Sequence, residues 1–193
     1  MENALVGVLA LQGDFAEHLQ ALTDAGAKAV PVKKPEEVEK CDALVIPGGE
    51  STTIGILCQR FGVGDAIAAL HRRGAPIWGT CAGLILLAKE IVASNQWRLG
   101  LMDVEVARNA FGRQIDSFEA DIEVAGISGG PVRAVFIRAP YVTRVWGGAE
   151  VIATFESKIV AVRQDNLLGI AFHPELTHDR RMQRYFLSMI RQA

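Results

Sequence analysis

A chain of 193 residues, half of them hydrophobic and with a formal net charge of -2, can bury one sizeable core. It offers no basic field for nucleic acid or an anionic membrane. Three cysteines, Cys41, Cys58 and Cys81, are odd in number, widely spaced and free of any C-x-x-C pattern, which argues against a disulfide framework and against a metal site of the zinc type.

One domain over residues 1–193 in a reducing, cytoplasmic setting is the expectation. No apolar run approaches the ~18 residues that a membrane-spanning helix needs. Ala4 to Leu11 is apolar enough to resemble the core of a secretory signal, but its flank carries Glu2 and no Lys or Arg. Gln12-Gly13-Asp14 is not a small-residue cleavage site either. Leu5 to Leu11 therefore reads as a first strand, buried on both faces.

Asp14 is expected to cap the following helix, with Glu17 completing a capping box and Gly26 ending it. Phe15, Leu19 and Leu22 make one apolar stripe on that helix and leave Glu17, His18, Gln20 and Asp24 outward. A strand over Lys28 to Val32, a short helix from Pro35 to about Lys40 and a third strand over Ala43 to Ile46 follow. Pro47-Gly48-Gly49-Glu50-Ser51-Thr52 comes next, with paired glycines that free the backbone and Ser51 or Thr52 placed to cap a helix. Two helices are expected over Thr53 to Phe61 and Asp65 to Arg73, and Gly74 stops the second before Pro76.

Ile77-Trp78-Gly79-Thr80-Cys81-Ala82-Gly83-Leu84 is then a short apolar strand, a cysteine between small residues, and a helix that runs to Lys89. Small neighbours let the chain turn sharply from strand to helix with one side chain held up at the bend, as in the G-x-S-x-G elbow of serine hydrolases. Cys81 is thus a candidate nucleophile, and the helix N-terminus beneath it favours a thiolate.

After a loop over Ser94 to Gly100 and a strand over Val104 to Arg108, strands succeed one another with turns instead of helices. They fall at Ser117 to Ile122, Val132 to Ile137, Val151 to Phe155, Ile159 to Arg163 and Leu168 to Phe172, and antiparallel pairing is the natural expectation. A last helix over Asp179 to Ile190 puts Met182, Phe186 and Met189 on one face. The fold class is α/β: a three-layer sandwich with a mostly parallel central sheet flanked by helices, plus antiparallel strands in the C-terminal half. Ligands of such sheets sit outside the carboxyl ends of the strands, where the Gly48-Gly49 loop, Cys81 and the segment after Phe172 all fall.

That segment is Phe172-His173-Pro174-Glu175. Two residues apart in extended chain, His173 and Glu175 point to one side, and Pro174 discourages helix. A thiol, an imidazole to exchange its proton and a carboxylate to hold the ring form the general nucleophile, base and orienter arrangement. A metal site built from His173, Glu175 and His178 is disfavoured, because the intervening proline excludes an i, i+4 histidine pair on a helix.

G-T-C-A-G followed by H-P-E resembles the triad-type (class I) glutamine amidotransferases, whose fold is flavodoxin-like. Finer motifs resemble the branch that serves as glutaminase subunit of pyridoxal phosphate synthase. They are Leu11-Gln12-Gly13, Pro47 to Thr53, Arg108 to Gln114, Ser117-Phe118-Glu119-Ala120-Asp121 and Phe136-Ile137-Arg138-Ala139-Pro140.

The resemblance implies hydrolysis of L-glutamine, with Cys81 as nucleophile, His173 as proton carrier and Glu175 as orienter. It also implies an oxyanion hole made by the N–H groups of Gly49 and Ala82, in a Gly48-Gly49 loop set for catalysis when a partner docks. Gly49, Glu50, Ser51, Arg108, Ile137 and Arg138 would line the glutamine pocket. The implied partner is the barrel-shaped synthase subunit in a large hetero-oligomer, with Gln12 and the first helix, including His18, as contact surface. No cofactor, metal, nucleic acid or membrane is implied.

Three rivals share parts of this pattern. Another amidotransferase glutaminase, such as the one serving imidazole glycerol phosphate synthesis, has the same chemistry without the branch motifs. A redox-sensing or holdase sheet protein of the DJ-1-like kind, with a reactive cysteine, needs neither the H-P-E segment nor the arginines. A peptidase of the same broad fold would work without a partner.

Overall fold

The computed structural model describes residues 4–108 and 117–190. Its elements in chain order are β1 (Leu5–Leu9), α1 (Phe15–Asp24), β2 (Lys28–Val32), α2 (Pro35–Val38), β3 (Ala43–Ile46), α3 (Ser51–Arg60), α4 (Val63–Arg72), β4 (Ile77–Thr80), α5 (Ala82–Leu87), β5 (Ala88–Ile91) and β6 (Met102–Ala107). Then come β7 (Ser117–Ile122), β8 (Val132–Ile137), β9 (Tyr141–Val145), β10 (Glu150–Phe155), β11 (Lys158–Gln164), β12 (Leu167–Ile170), a single 3-10 turn (Pro174–Leu176) and α6 (Arg181–Met189). Among the described residues no single helix is long and apolar enough to cross a membrane.

One ten-stranded sheet runs β2-β1-β3-β4-β12-β11-β9-β6-β5, with β10 paired to β11 off that path. The pairs β1 with β2, β1 with β3, β3 with β4 and β4 with β12 are parallel. Helices cover such a sheet on its faces, which is why β3 and β4 are buried at every residue and read as unbroken apolar runs. Trp78 of β4 and Phe186 of α6 pack ring to ring at 5.3 Å, so the apolar stripe expected on the last helix is the one that covers the sheet centre.

The hairpin of β7 and β8 stands apart as a two-stranded sheet. Its Phe118 and Phe136 rings stack at 4.5 Å, and Phe136 reaches Phe172 at 5.7 Å. Buried aromatic rings of this size dominate local packing energetics. Arg181 of α6 ties down the turn of the hairpin by donating to the carbonyls of Gly130 and Pro131, both at 2.7 Å.

Several expectations need correction. The strand before His173 does not pair only antiparallel with its sequence neighbours: β12 takes β11 on one side and lies parallel to β4 on the other. Helix α5 ends at Leu87, and Ala88 opens a strand, β5, where the sequence predicts helix. The last carbonyls of α5 are satisfied by the loop, with Leu99 N–H donating to Leu86 O and Leu101 N–H to Leu87 O. Strand β9 is an addition to the expected set, and its Val142, Thr143 and Val145 are β-branched, as strands favour.

The capping box at α1 does not form, since Asp14 makes no side-chain capping bond. Glu50, rather than Ser51 or Thr52, caps α3 by accepting from Thr52 N–H and Thr53 N–H at 3.1 and 2.7 Å. Finally, His18 does not face outward but is completely buried, so its side chain offers no contact surface for a partner.

Candidate active site

Register places the reactive groups. Ile170 lies opposite Thr80 in the parallel pair of β12 and β4, so the residues leaving both carboxyl ends emerge at one rim. The ladder continues one step past β4, with Cys81 N–H donating to Ile170 O at 2.8 Å. His173 N–H donates to Val135 O of β8 at 2.8 Å, which fixes the histidine from the hairpin side.

Cys81 sits at φ 49 and ψ -101, a backbone conformation that a non-glycine residue adopts only when its surroundings impose it. Those surroundings are the close approach of α5 to the sheet. A Cβ added at Gly83 would lie 2.1 Å from Ile46 O, so only glycine lets the helix start directly against β3. Ala82, the first residue of α5, has an N–H with no partner in its own helix, at the position where a helix N-terminus receives negative charge.

His173 Nδ1–H donates to Glu175 Oε1 at 2.7 Å, and Pro174 between them lets both side chains face inward. The second ring nitrogen is left for sulfur. Burial disfavours the charged ring, but the side-chain hydrogen bond with Cys81 and the hydrogen bond and charge of Glu175 outweigh it, and the pKa of His173 is pushed up to about 10. Burial disfavours the charged form of Glu175 too, yet the two histidines beside it, His18 and His173, hold its carboxyl below the usual range. The other two thiols are inert by contrast: burial raises Cys41 and pushes Cys58 up to about 12.

A cavity of about 420 Å³ opens over this rim, a size suited to a small polar ligand. It is lined by Cys81 and His173 together with Gly49, Glu50, Ser51, Ala82, Arg108, Ile137 and Arg138. Every residue expected in the oxyanion hole and the glutamine pocket is therefore at this cavity, and Glu175 lies behind His173. Gln12 also stands at the cavity wall, where its Oε1 accepts from Glu50 N–H at 2.8 Å. The motif segment from Asn109 to Gln114 lies outside the described residues.

Charge is organised around the cavity as well. Glu50 accepts three hydrogen bonds, from Thr52 N–H, Thr53 N–H and Thr53 Oγ1. Burial works against its charge, but these bonds prevail and hold its carboxyl below the usual range. Arg108 Nη2 lies 3.8 Å from Glu50 Oε1. Arg138 stands at the cavity on a left-handed backbone, φ 42.

Sequence reasoning missed two members of the site. Gln96 Oε1 accepts from Arg108 Nη1 at 2.6 Å and from the hydroxyls of Ser51 and Thr52, both at 3.3 Å, so one loop amide ties the arginine to the head of α3. No spacing rule marks a loop glutamine for that task. Asp14, assigned to a helix cap, turns its carboxylate to 3.7 Å from His173 Nδ1. Asp14, His173 and Glu175 present possible cation ligands within 4.8 Å of one another. Since His173 Nδ1 and Glu175 Oε1 already bond each other, a cation there would have to displace that bond.

Fold and rim together define an α/β protein of the glutamine amidotransferase class. A crystal structure described as a glutamine amidotransferase matches with a TM-score of 0.91 at 51% identity, covering 96% of this chain and 98% of that one. The chain belongs to the SNO glutamine amidotransferase family, whose model matches residues 8–192.

It is 58% identical over 182 residues to the pyridoxal 5'-phosphate synthase subunit PdxT of Pelotomaculum thermopropionicum, covering 94% of this chain and 93% of that protein. It is 56% identical over 185 residues to the protein of the same description from Desulforudis audaxviator, covering 96% and 98%. The structure of PurLQS from Thermotoga maritima, at 17% identity and a TM-score of 0.73, covers 100% of this chain and 99% of that one and shares the fold.

Proposed function

We propose that this chain, as one glutaminase domain, hydrolyses L-glutamine to L-glutamate and ammonia, and hands the ammonia to the synthase subunit that builds pyridoxal 5'-phosphate. The observation that carries the chemistry is that Cys81, His173 and the Glu175 behind it meet at one sheet rim under a cavity that Arg108 and Arg138 also line. Membership of the family and identity to synthase subunits over nearly the whole chain support the acceptor.

In this mechanism Cys81, its proton already on His173, attacks the side-chain amide carbon of glutamine as a thiolate, and the N–H groups of Ala82 and Gly49 receive the developing oxyanion; loss of one such donor costs about 3 kcal/mol of barrier. His173 holds its proton at neutral pH, and passes it to the departing nitrogen so that ammonia leaves and a thioester remains. Water then attacks the thioester carbon and gives a proton to the same ring, and the C–S bond breaks to release glutamate. Glu175 keeps Nδ1 protonated and the ring oriented throughout. Arg108 and Arg138 suit the α-carboxylate of the substrate, and Glu50 suits its ammonium.

Free ammonia is protonated in water, so the product has to be delivered directly. The partner is a barrel-shaped synthase subunit in a large hetero-oligomer of the cytoplasm, and docking sets the Gly48-Gly49 loop for turnover. Glutamate release is the measurement, with and without a pyridoxal 5'-phosphate synthase subunit present. The wild type is expected to be stimulated by that partner and Cys81→Ala to be inactive in its presence while remaining folded. Turnover by Cys81→Ala would overturn the chemistry, and indifference to the partner would overturn the acceptor.

A further inference from the structure

His18 is the buried titratable group at this site that the triad does not use. It lies one turn into α1, and both it and Thr80 are 0% exposed. A polar ring buried this deeply is retained only where it meets polar partners. Its Nε2 lies 2.9 Å from Thr80 Oγ1 and 3.4 Å from Glu175 Oε1. The ring thus bridges the residue before the nucleophile and the carboxylate behind the catalytic histidine.

Resting on the triad reading above, we infer that His18 is a positioning residue: as a neutral imidazole hydrogen-bonded to Thr80 Oγ1, with its Nε2–H turned toward the Glu175 carboxylate, it holds that carboxylate in place for His173. The tautomer follows from the contacts. His18 Nδ1 is buried without a partner among the described residues. A proton on Nδ1 would bury an unpaired N–H and turn the Nε2 lone pair toward a carboxylate, whereas a proton on Nε2 faces two oxygens and leaves only a bare acceptor behind.

The neutral state follows from burial, which lowers the pKa of the ring more than Glu175, Asp14 and Glu17 raise it, with His173 lowering it further. The contact is therefore one between the N–H dipole of a neutral ring and a carboxylate, not an ion pair. Trp78 meets the ring edge on, with centroids 5.8 Å apart and planes at 81°, so the ring has little freedom to turn away.

The two histidines beside Glu175 face one of its oxygens. Oε1 receives His173 Nδ1 at 2.7 Å and faces His18 Nε2 at 3.4 Å, while Oε2 is buried without a partner among the described residues. Without His18 the carboxyl group loses a side-chain partner independent of the ring it is meant to steer, and it becomes easier to protonate in a site where burial already favours the neutral acid. The charged and titratable groups around the pair are His173 and Cys81 on the rim and Asp14 and Glu17 at the start of α1.

Glutamate release with the synthase partner, measured across pH, tests this in His18→Leu, His18→Asn, His18→Gln and Glu175→Gln. The side-chain amide of glutamine reaches the Nε2 position of a histidine, whereas that of asparagine reaches only Nδ1. His18→Leu and His18→Asn are expected to lose about ten- to hundred-fold in kcat, as when a charged acceptor loses a donor, with KM for glutamine within about twofold. Their acid limb should move to higher pH, and His18→Gln should recover most of both losses.

Wild-type kcat and an unmoved acid limb in His18→Leu, with Glu175→Gln impaired, would overturn the inference alone. Equal activity of folded His18→Asn and His18→Gln would do the same, and that comparison stands if His18→Leu does not fold. Full activity in Glu175→Gln would instead remove the triad reading and this inference with it.

Discussion

On one wall of the cavity the side chains of His173 and Glu175 are 3% and 0% exposed, and their positions follow from the register of β4 against β12, from Val135 O and from the squeeze of α5 onto β3. On the other wall Arg108 and Glu50 are 35% and 51% exposed; Arg108 is held by the side chain of Gln96, and Glu50 by the Thr53 hydroxyl and the first free N–H groups of α3. Bond making tolerates little displacement of the reacting groups, and a 1 Å error can cost about a hundred-fold in rate. That wall is accordingly built from backbone ladders that cannot slide. Recognition of a charged end tolerates adjustment, and exposed ion pairs contribute only about 0–1 kcal/mol of stability. The lesson is that backbone register fixes the chemistry while adjustable side chains take the binding.

The comparison breaks most severely at the elbow. Gly83→Ala drives a Cβ to 2.1 Å from Ile46 O, a backbone atom of a buried strand that has nowhere to go. It should destabilise the fold by about 3 kcal/mol, the upper range for overpacking, and remove glutamine hydrolysis. Thermal unfolding reads the first effect and glutamate release the second. An unchanged melting temperature would mean that the buried wall yields as easily as the exposed one.

Cys81→Ala removes one of the two partners that raise His173, so the ring pKa should fall below about 10. Titration of the imidazole by NMR follows it. The sign of the linked stability is set by the same shifts. A raised histidine stabilises fully below its unfolded pKa of about 6.5 and loses that contribution as pH climbs through its folded value, whereas the depressed Glu175 stabilises above about 4.5 and loses it on acidification. Stability owed to the pair should therefore fade on the alkaline side toward pH 10 in the wild type and at a lower pH in Cys81→Ala.

The smallest effect belongs to the exposed wall. Arg108→Ala should raise KM for glutamine about tenfold with kcat within about threefold, the pattern of a binding contact made equally in ground and transition states. Its melting temperature should stay near that of the wild type. A fall in kcat as large as the rise in KM would place Arg108 among the groups that steer the chemistry and dissolve the distinction between the walls.

Much of this was legible in the residues. Unbroken apolar runs mark β1, β3 and β4 as doubly covered strands and the small residues around Cys81 mark the elbow; the stretch from His173 to Glu175, expected to be extended, enters a 3-10 turn at Pro174 and still brings the two side chains together. What escaped depended on groups distant in sequence. Glu50 rather than Ser51 or Thr52 caps α3, because its carboxylate spans two free N–H groups at once. Gln96 gains its place only because Arg108 and Ser51 converge on its loop. His18 reads as a solvated residue by helical periodicity, and it becomes buried because the 3-10 turn with Glu175 and the end of β4 close over that face of α1.

The chain's own pattern settles which segments become strands and helices and which residues can do thiol chemistry, since burial period, turn residues and side-chain type are local properties. Tertiary structure alone decides that β12 joins β4 in parallel, that the thiol and the imidazole therefore share a rim, and that a helix histidine ends against the carboxylate behind them. Those outcomes rest on pairings between segments far apart in the chain, whose free energy appears only once the sheet has assembled.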